Sequence, residues 1–273
     1  MSAQASCVDH ACRLVGLGPD ILPYWLVAGT LTLLGAIWGS FVAALCQRWP
    51  AGDSILRGRS RCDHCGETLR AHELVPLFSY LLQRGRCRHC GRAIGRDSLA
   101  IEASCAAVGL LCASLLTPSA AFASATLCWL LLPIALLDWR HYWLPDRLLL
   151  LLGCGGLAVG GMIAAEPSLW DRMVGGLGGY AALQLLRLGY RQFRGIEAMG
   201  AGDPKMLGAI GLWTGWQPLP LIMVAASMMG IAHYLMRSRN GTKDDVRFPL
   251  GSYMAAGTIL WLFTLKFPGA GAG

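Results

Sequence analysis

The chain has 273 residues, of which 55% are hydrophobic and only 14% are charged, and it contains 35 glycines. A soluble domain of this length needs more charge to cover its surface and rarely carries so many long apolar runs. This composition excludes an ordinary soluble domain and predicts an all-α polytopic membrane protein.

Apolar stretches long enough to cross a membrane recur along the chain. A helix needs about 20 mostly apolar residues to cross the hydrocarbon core. Stretches of this kind, bounded by charge, proline or glycine, predict eight spans at roughly 21–46, 99–116, 119–137, 147–165, 173–190, 204–215, 217–236 and 250–267. The sixth is short and is separated from the seventh only around Gly215 to Pro218, so seven spans are the alternative.

The segment before the first apolar stretch is interpreted as a leader to a retained span. It is long for a signal peptide, carries Asp9 and Asp20 and has no basic start. Cys7 and Cys12 lie in this leader, and two thiols alone are too little to predict a disulfide.

Positive charge is distributed unevenly between the predicted loops. Twenty of the 23 lysines and arginines fall within 47–98, 140–147, 187–205 and 237–247, which alternating spans place on one side. Because lysine and arginine concentrate in cytoplasmic loops, we expect these loops in the cytoplasm and both termini outside. The net charge of +7 then requires no nucleic-acid partner, since it reflects this bias and attraction to anionic membrane lipids.

Residues 47–98 form a polar, arginine-rich segment, the candidate for a small cytoplasmic domain. It contains "CDHC" at 62–65 and "CRHC" at 87–90, separated by 21 residues. Two Cys-x-x-Cys turns at this spacing fit a tetrahedral zinc site, and the predicted metal ligands are Cys62, Cys65, Cys87 and Cys90.

A disulfide pair and idle thiols are the alternatives for these cysteines. The cytoplasm is reducing, and about 50 residues are too few to build a substantial apolar core unaided, so both facts favour zinc. Four thiolates leave no position for water, and the zinc is therefore expected to be structural. The chain divides into a leader with the first helix at 1–46, the zinc-binding insert at 47–98 and a transmembrane core at 99–273.

Three aspartates lie beside predicted spans on the cytoplasmic side. Asp146, after Pro145, and Asp203, before Pro204, could each be only a helix N-cap. Asp138 instead follows "LLLPIALL" at a helix C-terminus, where negative charge is disfavoured. An acid in such a position is a functional hypothesis by default.

Asp138 and Asp203 are the predicted catalytic pair. Two carboxylates that share a water can hydrolyse an amide, because the ionised one takes a proton from the water while the protonated one donates to the carbonyl oxygen. Gly200 and Gly202 either let an extended substrate approach Asp203 or form a flexible turn. Lys205 either neutralises Asp203 or marks the inner membrane boundary.

These motifs together resemble the prepilin peptidases, or leader peptidases, of type IV pilus and type II secretion systems. The resemblance covers "GSF" at 39–41, both cysteine motifs, "RGRCRHCG" at 84–91, "DWRHYWLPD" at 138–146, "EAMGAGDPK" at 197–205 and the plan of eight spans. It implies a membrane aspartic peptidase of the GxGD type with Asp138 and Asp203 as its catalytic acids. Asp146 then corresponds to the non-catalytic acid of the family's Leu-Pro-Asp turn.

The resemblance also implies a substrate, a cofactor and a location. Members cleave the cytoplasmic leader of prepilins and pseudopilins after a glycine, at the inner face of the bacterial inner membrane. Many then methylate the new N-terminus with S-adenosylmethionine, although the residues show no nucleotide-binding fingerprint.

The chain departs from the family's usual pattern in two places. In "GSFVAALCQRWP", Ala43 and Gln47 stand where asparagine and tyrosine are common, and "FPLGSYMAAG" stands where "PFGPF" is common. These departures leave the acid pair intact and bear on methyl transfer and substrate fit.

The alternative function is a non-catalytic membrane assembly protein that docks through its zinc loop. In that interpretation Asp138 is a boundary charge and Asp203 a cap. A zinc-dependent protease is disfavoured, because four cysteines fill the metal and the chain has no His-Glu-x-x-His helix.

Overall fold

The structure is a computed structural model that describes residues 23–53, 61–62, 64–70, 76–93, 95–163, 167–195, 199–239 and 248–264. Cys7 and Cys12 of the leader lie outside the described residues. Within the described ranges the chain forms nine α-helices and no strand, and its two isolated β-bridges join Arg61 to Thr68 and Arg86 to Ala93. The predicted all-α class is confirmed for this part of the chain.

The helices are α1 Tyr24–Arg48, α2 Phe78–Leu82, α3 Arg96–Leu115, α4 Pro118–His141, α5 Asp146–Val159, α6 Leu169–Arg194, α7 Gly202–Thr214, α8 Leu219–Arg239 and α9 Leu250–Thr264. The chain forms two compact units, Met1–Ala125 and Thr126–Gly273.

Among the residues that the structure describes, four helices are long and apolar enough to cross a membrane: Tyr24–Arg48, Asp97–Leu115, Pro118–His141 and Leu219–Ser238. They match four predicted spans and support a multi-pass membrane protein. At about 1.5 Å per residue, the 13 residues of α7 extend only about 20 Å, which is less than the roughly 30 Å of hydrocarbon. The number of eight spans therefore stays a prediction.

In the first unit, α1 and α3 pack with their main chains in contact. A Cβ atom added at Gly39, the glycine of "GSF", would lie 2.6 Å from Cα of Glu102. Added Cβ atoms at Gly35 and Gly109 would likewise meet main-chain atoms of the facing helix. Small residues allow membrane helices to approach this closely.

In the second unit, α7 is buried along nearly its whole length and contacts α5, α6, α8 and α9. A Cβ atom at Gly208 would lie 2.9 Å from the carbonyl oxygen of Gly176, so α6 and α7 also approach through glycines. The buried indole of Trp213 donates to the carbonyl oxygen of Leu152 at 2.7 Å, which fixes α7 against α5.

A buried arginine donates hydrogen bonds to carbonyl groups at the ends of two of these helices. Arg172, in the first turn of α6, is 5% exposed, and its Nε donates to the carbonyl oxygen of Leu212 at 2.9 Å. Its Nη2 donates to the carbonyl oxygens of Gly156 and Leu157. These carbonyls belong to the last turns of α7 and α5, where a helix runs out of its own donors, although the Gly156 carbonyl also accepts the N–H of Gly160.

Candidate active site

Asp138 lies in the last turn of α4 and is 5% exposed. Its Oδ2 accepts hydrogen bonds from the main-chain N–H of Ser252 at 2.7 Å and from the Ser252 hydroxyl at 3.1 Å. Ser252 is the third residue of α9, so the N-terminus of that helix points at the carboxylate. Asp138, which follows an apolar run in the sequence, thus receives its hydrogen bonds from a helix that is distant along the chain.

Asp203 lies in the first turn of α7 and is 6% exposed. Its Oδ2 accepts the main-chain N–H of Gly200 at 3.0 Å. The N-cap of α7 is Ala201, so Asp203 is not the N-cap and Pro204 is not the first helical residue. The N-cap alternative for Asp203 is therefore wrong, because the helix begins earlier and the carboxylate turns back onto the preceding loop.

The two acids come together within the second unit. Asp138 and Asp203 interact electrostatically. Gly251, at the start of α9, lies against the helices that carry both acids. A Cβ atom added at Gly251 would lie 3.1 Å from Oδ2 of Asp138 and 3.2 Å from Sδ of Met206, which is one turn after Asp203 on α7. The starts of α7 and α9 therefore meet at the end of α4.

The glycines of "GAGD" have structural surroundings that sequence reasoning missed. A Cβ atom added at Gly202 would lie 2.6 Å from Cβ of Leu144, so the absent side chain makes room for that leucine. Neither Gly200 nor Gly202 has a positive φ. Gly200 is exposed, and its role in substrate approach stays a prediction.

Lys205 contacts a different acid from the one considered in the sequence. Its Nζ lies 2.6 Å from Oδ1 of Asp146, and both side chains are exposed. Asp146 is the first residue of α5, whose N-cap is Pro145 without a side-chain cap, so the N-cap alternative for Asp146 is also wrong. The Arg187 guanidinium on α6 interacts electrostatically with Asp203.

An aromatic cluster of Trp139, His233 and Tyr253 flanks the site. The Trp139 ring stacks on His233 with centroids 5.3 Å apart and meets the Tyr253 ring edge-on at 6.2 Å. His233 Nδ1 and the Tyr253 hydroxyl are hydrogen-bonded. Because Trp139 follows Asp138 and Tyr253 follows Ser252, this cluster fixes the hydrogen-bonded pair from one side.

The four predicted metal ligands also come together, within the first unit. The Sγ atoms of Cys62, Cys65, Cys87 and Cys90 all lie within 4.8 Å of one another, and those of Cys62 and Cys90 are 3.9 Å apart. A tetrahedral site with Zn–S distances of about 2.3 Å requires sulfur atoms about 3.8 Å apart. The donor set and its spacing therefore fit a zinc ion.

The main chain prepares both turns for such an ion. Gly66 N–H donates to the carbonyl oxygen of Cys62, and Gly91 N–H donates to that of Cys87, each at 2.9 Å. Both glycines have left-handed φ, 70° and 69°, which side-chain-bearing residues rarely adopt. The N–H groups of Cys65 and His64 lower the pKa of the Cys62 thiol to about 7, and this favours the thiolate that a metal requires.

Sequence comparison places these two sites in one family. Residues 33–116 match the Bacterial Peptidase A24 N-terminal domain, and residues 125–235 match the Type IV leader peptidase family. The chain belongs to the type IV leader peptidase family. Asp138 and Asp203 lie in the second matched segment, and the four cysteines lie in the first.

Relatives extend the similarity over most of the chain. A prepilin leader peptidase/N-methyltransferase of Burkholderia pseudomallei (strain 1026b) is 38% identical over 216 residues, which are 78% of this chain and 70% of the relative. Proteins of the same name from Aeromonas hydrophila and Dickeya chrysanthemi are 36% and 35% identical, over 77% and 79% of this chain and 73% and 83% of the relatives. No solved structure matches the chain.

Proposed function

We propose that this member of the type IV leader peptidase family is a membrane aspartic endopeptidase that cleaves the leader of prepilins and pseudopilins after a glycine. The observation that supports it most directly is the buried pair of Asp138 and Asp203, two acids 65 residues apart in sequence that interact in the folded chain. Burying an acid costs free energy, so a buried pair of acids favours a functional site.

The hydrogen bonds of the pair indicate which oxygens are used. Ser252 donates twice to Oδ2 of Asp138, and the Gly200 N–H donates to Oδ2 of Asp203, while the Gly251 N–H is a further donor to Asp138. Oδ1 of each carboxylate is therefore assigned to the reacting water and the substrate carbonyl. Carboxylates about 5 Å apart repel by roughly 3 kcal/mol at an effective dielectric near 20, so the pair titrates as a unit and can share one proton.

The shared proton gives each acid a role in amide hydrolysis. The ionised carboxylate takes a proton from the water as the oxygen attacks the carbonyl carbon, and the protonated carboxyl donates to the carbonyl oxygen. When the tetrahedral intermediate collapses, the carboxyl that took the water proton gives it to the leaving amine, and the other carboxylate takes a proton from the hydroxyl whose oxygen becomes the carbonyl, which restores the starting form of the pair. Gly200 is proposed to leave room for the substrate main chain beside Asp203.

The remaining parts of the proposal concern the insert, the second activity and the location. The four-cysteine cluster is proposed to hold a structural zinc ion. Because the relatives are named N-methyltransferases, we also propose methylation of the new N-terminus by S-adenosylmethionine. The enzyme is proposed to lie in the bacterial inner membrane with eight spans, contacting membrane lipids, and with its acid pair facing the cytoplasm.

Replacement of each acid tests the peptidase. We expect Asp138→Asn and Asp203→Asn to lower the cleavage rate of a coexpressed prepilin by at least about 100-fold, because each removes a proton-transfer group. Asp146→Asn is the matched control, since that acid forms only an exposed ion pair, and it should cleave at a rate close to that of the unsubstituted enzyme. Mass spectrometry of the pilin N-terminus measures cleavage and methylation together.

The same experiment separates the peptidase from a non-catalytic assembly protein. If the chain only docks assembly components through its zinc loop, both asparagine variants should still support pilus or secretion assembly and should leave the prepilin population unchanged. Cleavage at the unsubstituted rate by either variant would overturn the proposed mechanism.

A further inference from the structure

The Ser252 hydroxyl lies between two oxygen atoms of α4. Its Oγ is 3.1 Å from Oδ2 of Asp138 and 2.9 Å from the carbonyl oxygen of Ala135, and the residue is 9% exposed. Its main-chain N–H donates separately to the same Oδ2 at 2.7 Å. One serine therefore makes three contacts with the helix that carries Asp138.

A hydroxyl has one hydrogen to donate, whereas a carbonyl oxygen can only accept. The Ser252 hydrogen therefore points to either Ala135 or Asp138 at any moment. When Asp138 is ionised, the hydroxyl can donate to Oδ2. When Asp138 carries its proton on Oδ1, Oδ2 remains an acceptor for the Ser252 N–H, and the hydroxyl can donate to either Oδ2 or Ala135. The geometry thus provides a hydrogen bond for Asp138 with and without its proton.

We infer that Ser252 is a positioning residue for Asp138 that keeps Oδ2 hydrogen-bonded throughout the catalytic cycle, so that Oδ1 stays directed to the water. This inference rests on the proposed peptidase function. The acid proton moves between Asp138 and the reacting groups, and Ser252 neither gains nor loses a proton. Its own hydrogen only turns about the Cβ–Oγ bond between Ala135 and Asp138.

The surroundings hold Ser252 in the required place. Gly251 lets the start of α9 approach, because a Cβ atom there would lie 3.1 Å from Oδ2 of Asp138. On the other side, the Tyr253 ring is fixed by His233 and Trp139. Residues on both sides of Ser252 thus restrict its movement along and across α4.

Other titratable groups act on the same carboxylate or on its neighbours. Asp203 on α7 and Tyr253 on α9 interact with Asp138. Arg187 interacts electrostatically with Asp203. Arg237 and Tyr142 interact electrostatically with Tyr253. Substitution of Ser252 leaves all of these groups in the chain, so its effect reports on the contacts of Ser252 itself.

Steady-state cleavage of a purified prepilin by the full-length enzyme tests the inference. We expect Ser252→Ala to lower kcat about 10- to 100-fold, as for loss of a hydrogen bond to a charged group, with KM changed by less than about twofold. Ser252→Thr keeps the hydroxyl and should restore kcat to within about threefold of the unsubstituted enzyme. A purely structural role would not give this separation between kcat and KM or the rescue by threonine.

Ser124→Ala is the matched control, because it removes a buried hydroxyl of α4 for which the described residues provide no partner. It should leave kcat unchanged. If Ser252→Ala does not fold, Ser252→Cys, with its weaker donor, should fold and show an intermediate kcat. Unchanged kcat in Ser252→Ala, or equal losses in the alanine and threonine variants, would overturn the inference. Failure of the unsubstituted enzyme to cleave would instead refute the proposed function.

Discussion

At the scale of single residues, the polar contacts of the site join side chains that lie far apart along the chain. Asp138 and Asp203 stand out because acids beside apolar spans are costly. Lys205 pairs with Asp146 across 59 residues, and Ser252 pairs with Asp138 across 114, and no local pattern indicates either contact. Local capping rules assigned possible cap roles to Asp146 and Asp203, and the helix starts exclude both.

Gly202 provides a prediction about packing beside the acid pair. In Gly202→Ala, the new methyl group would overlap Leu144, and we expect a loss of about 1–3 kcal/mol in the free energy of unfolding. Thermal unfolding in detergent measures the change. Adding Leu144→Gly should recover part of the loss, because it removes the Cβ atom that lies 2.6 Å from the new methyl group.

The control for this prediction is Gly178→Ala on α6. An added Cβ atom there meets nothing within 4 Å, and alanine is favoured over glycine inside a helix. We expect Gly178→Ala to be no less stable than the unsubstituted protein. Equal stability of Gly202→Ala and Gly178→Ala would show that Leu144 yields freely and that the tight contact is unimportant.

At the scale of elements, apolar runs predicted the helices better than their ends. The predicted span 173–190 lies inside α6, which runs from Leu169 to Arg194. The start of α6 is set by a capping box between Ser168 and Asp171, and its end by Gly195 with a left-handed φ. Hydropathy reports which residues prefer lipid, whereas capping decides where the helix stops. The prediction therefore identified the element and underestimated its length.

The cysteine insert was the element most fully predictable, because four ligand residues at fixed spacing admit few arrangements. We expect the purified protein to contain about one zinc ion per chain and Cys62→Ser to contain almost none, since a thiolate ligand is lost. Elemental analysis measures the metal. Cys154→Ser, which changes an exposed thiol of α5 outside the cluster, should retain the ion.

The same element offers a check on the structural assignment of zinc. Because four thiolates leave no open position on the metal, replacement of zinc by cadmium should leave prepilin cleavage unchanged. A cleavage rate that followed the identity of the metal would contradict a structural role. It would favour a zinc-dependent protease instead.

At the scale of the whole molecule, the distribution of charge predicts topology. Eight spans with an outer N-terminus place the C-terminus outside, whereas seven spans place it in the cytoplasm. We expect alkaline phosphatase fused at the C-terminus to be active and the same reporter fused within 47–98 to be inactive. An inactive C-terminal fusion would favour seven spans, and an active fusion within 47–98 would contradict the predicted orientation.

The composition was sufficient to predict a multi-pass helical protein, but the packing order was not predictable from it. The site requires the end of α4 and the starts of α7 and α9 to meet. That meeting depends on close approaches such as Gly208 to Gly176, which join residues 32 apart. Periodicity within one helix carries no information on such a pairing. Asp138 and Asp203 were paired from the sequence by acid chemistry and by the family resemblance, and not by any pattern of helix packing.

Arg172 has a consequence for the hydration of the helix ends that it binds. The final carbonyl groups of α5 and α7 point to a guanidinium, so they do not require solvent at the end of α7 remote from Asp203. Without that cation, water would have to enter between the helices to satisfy them, because bare carbonyls are not tolerated in hydrocarbon. The side chain thereby lets both helices end inside the second unit with their last carbonyl groups hydrogen-bonded to protein.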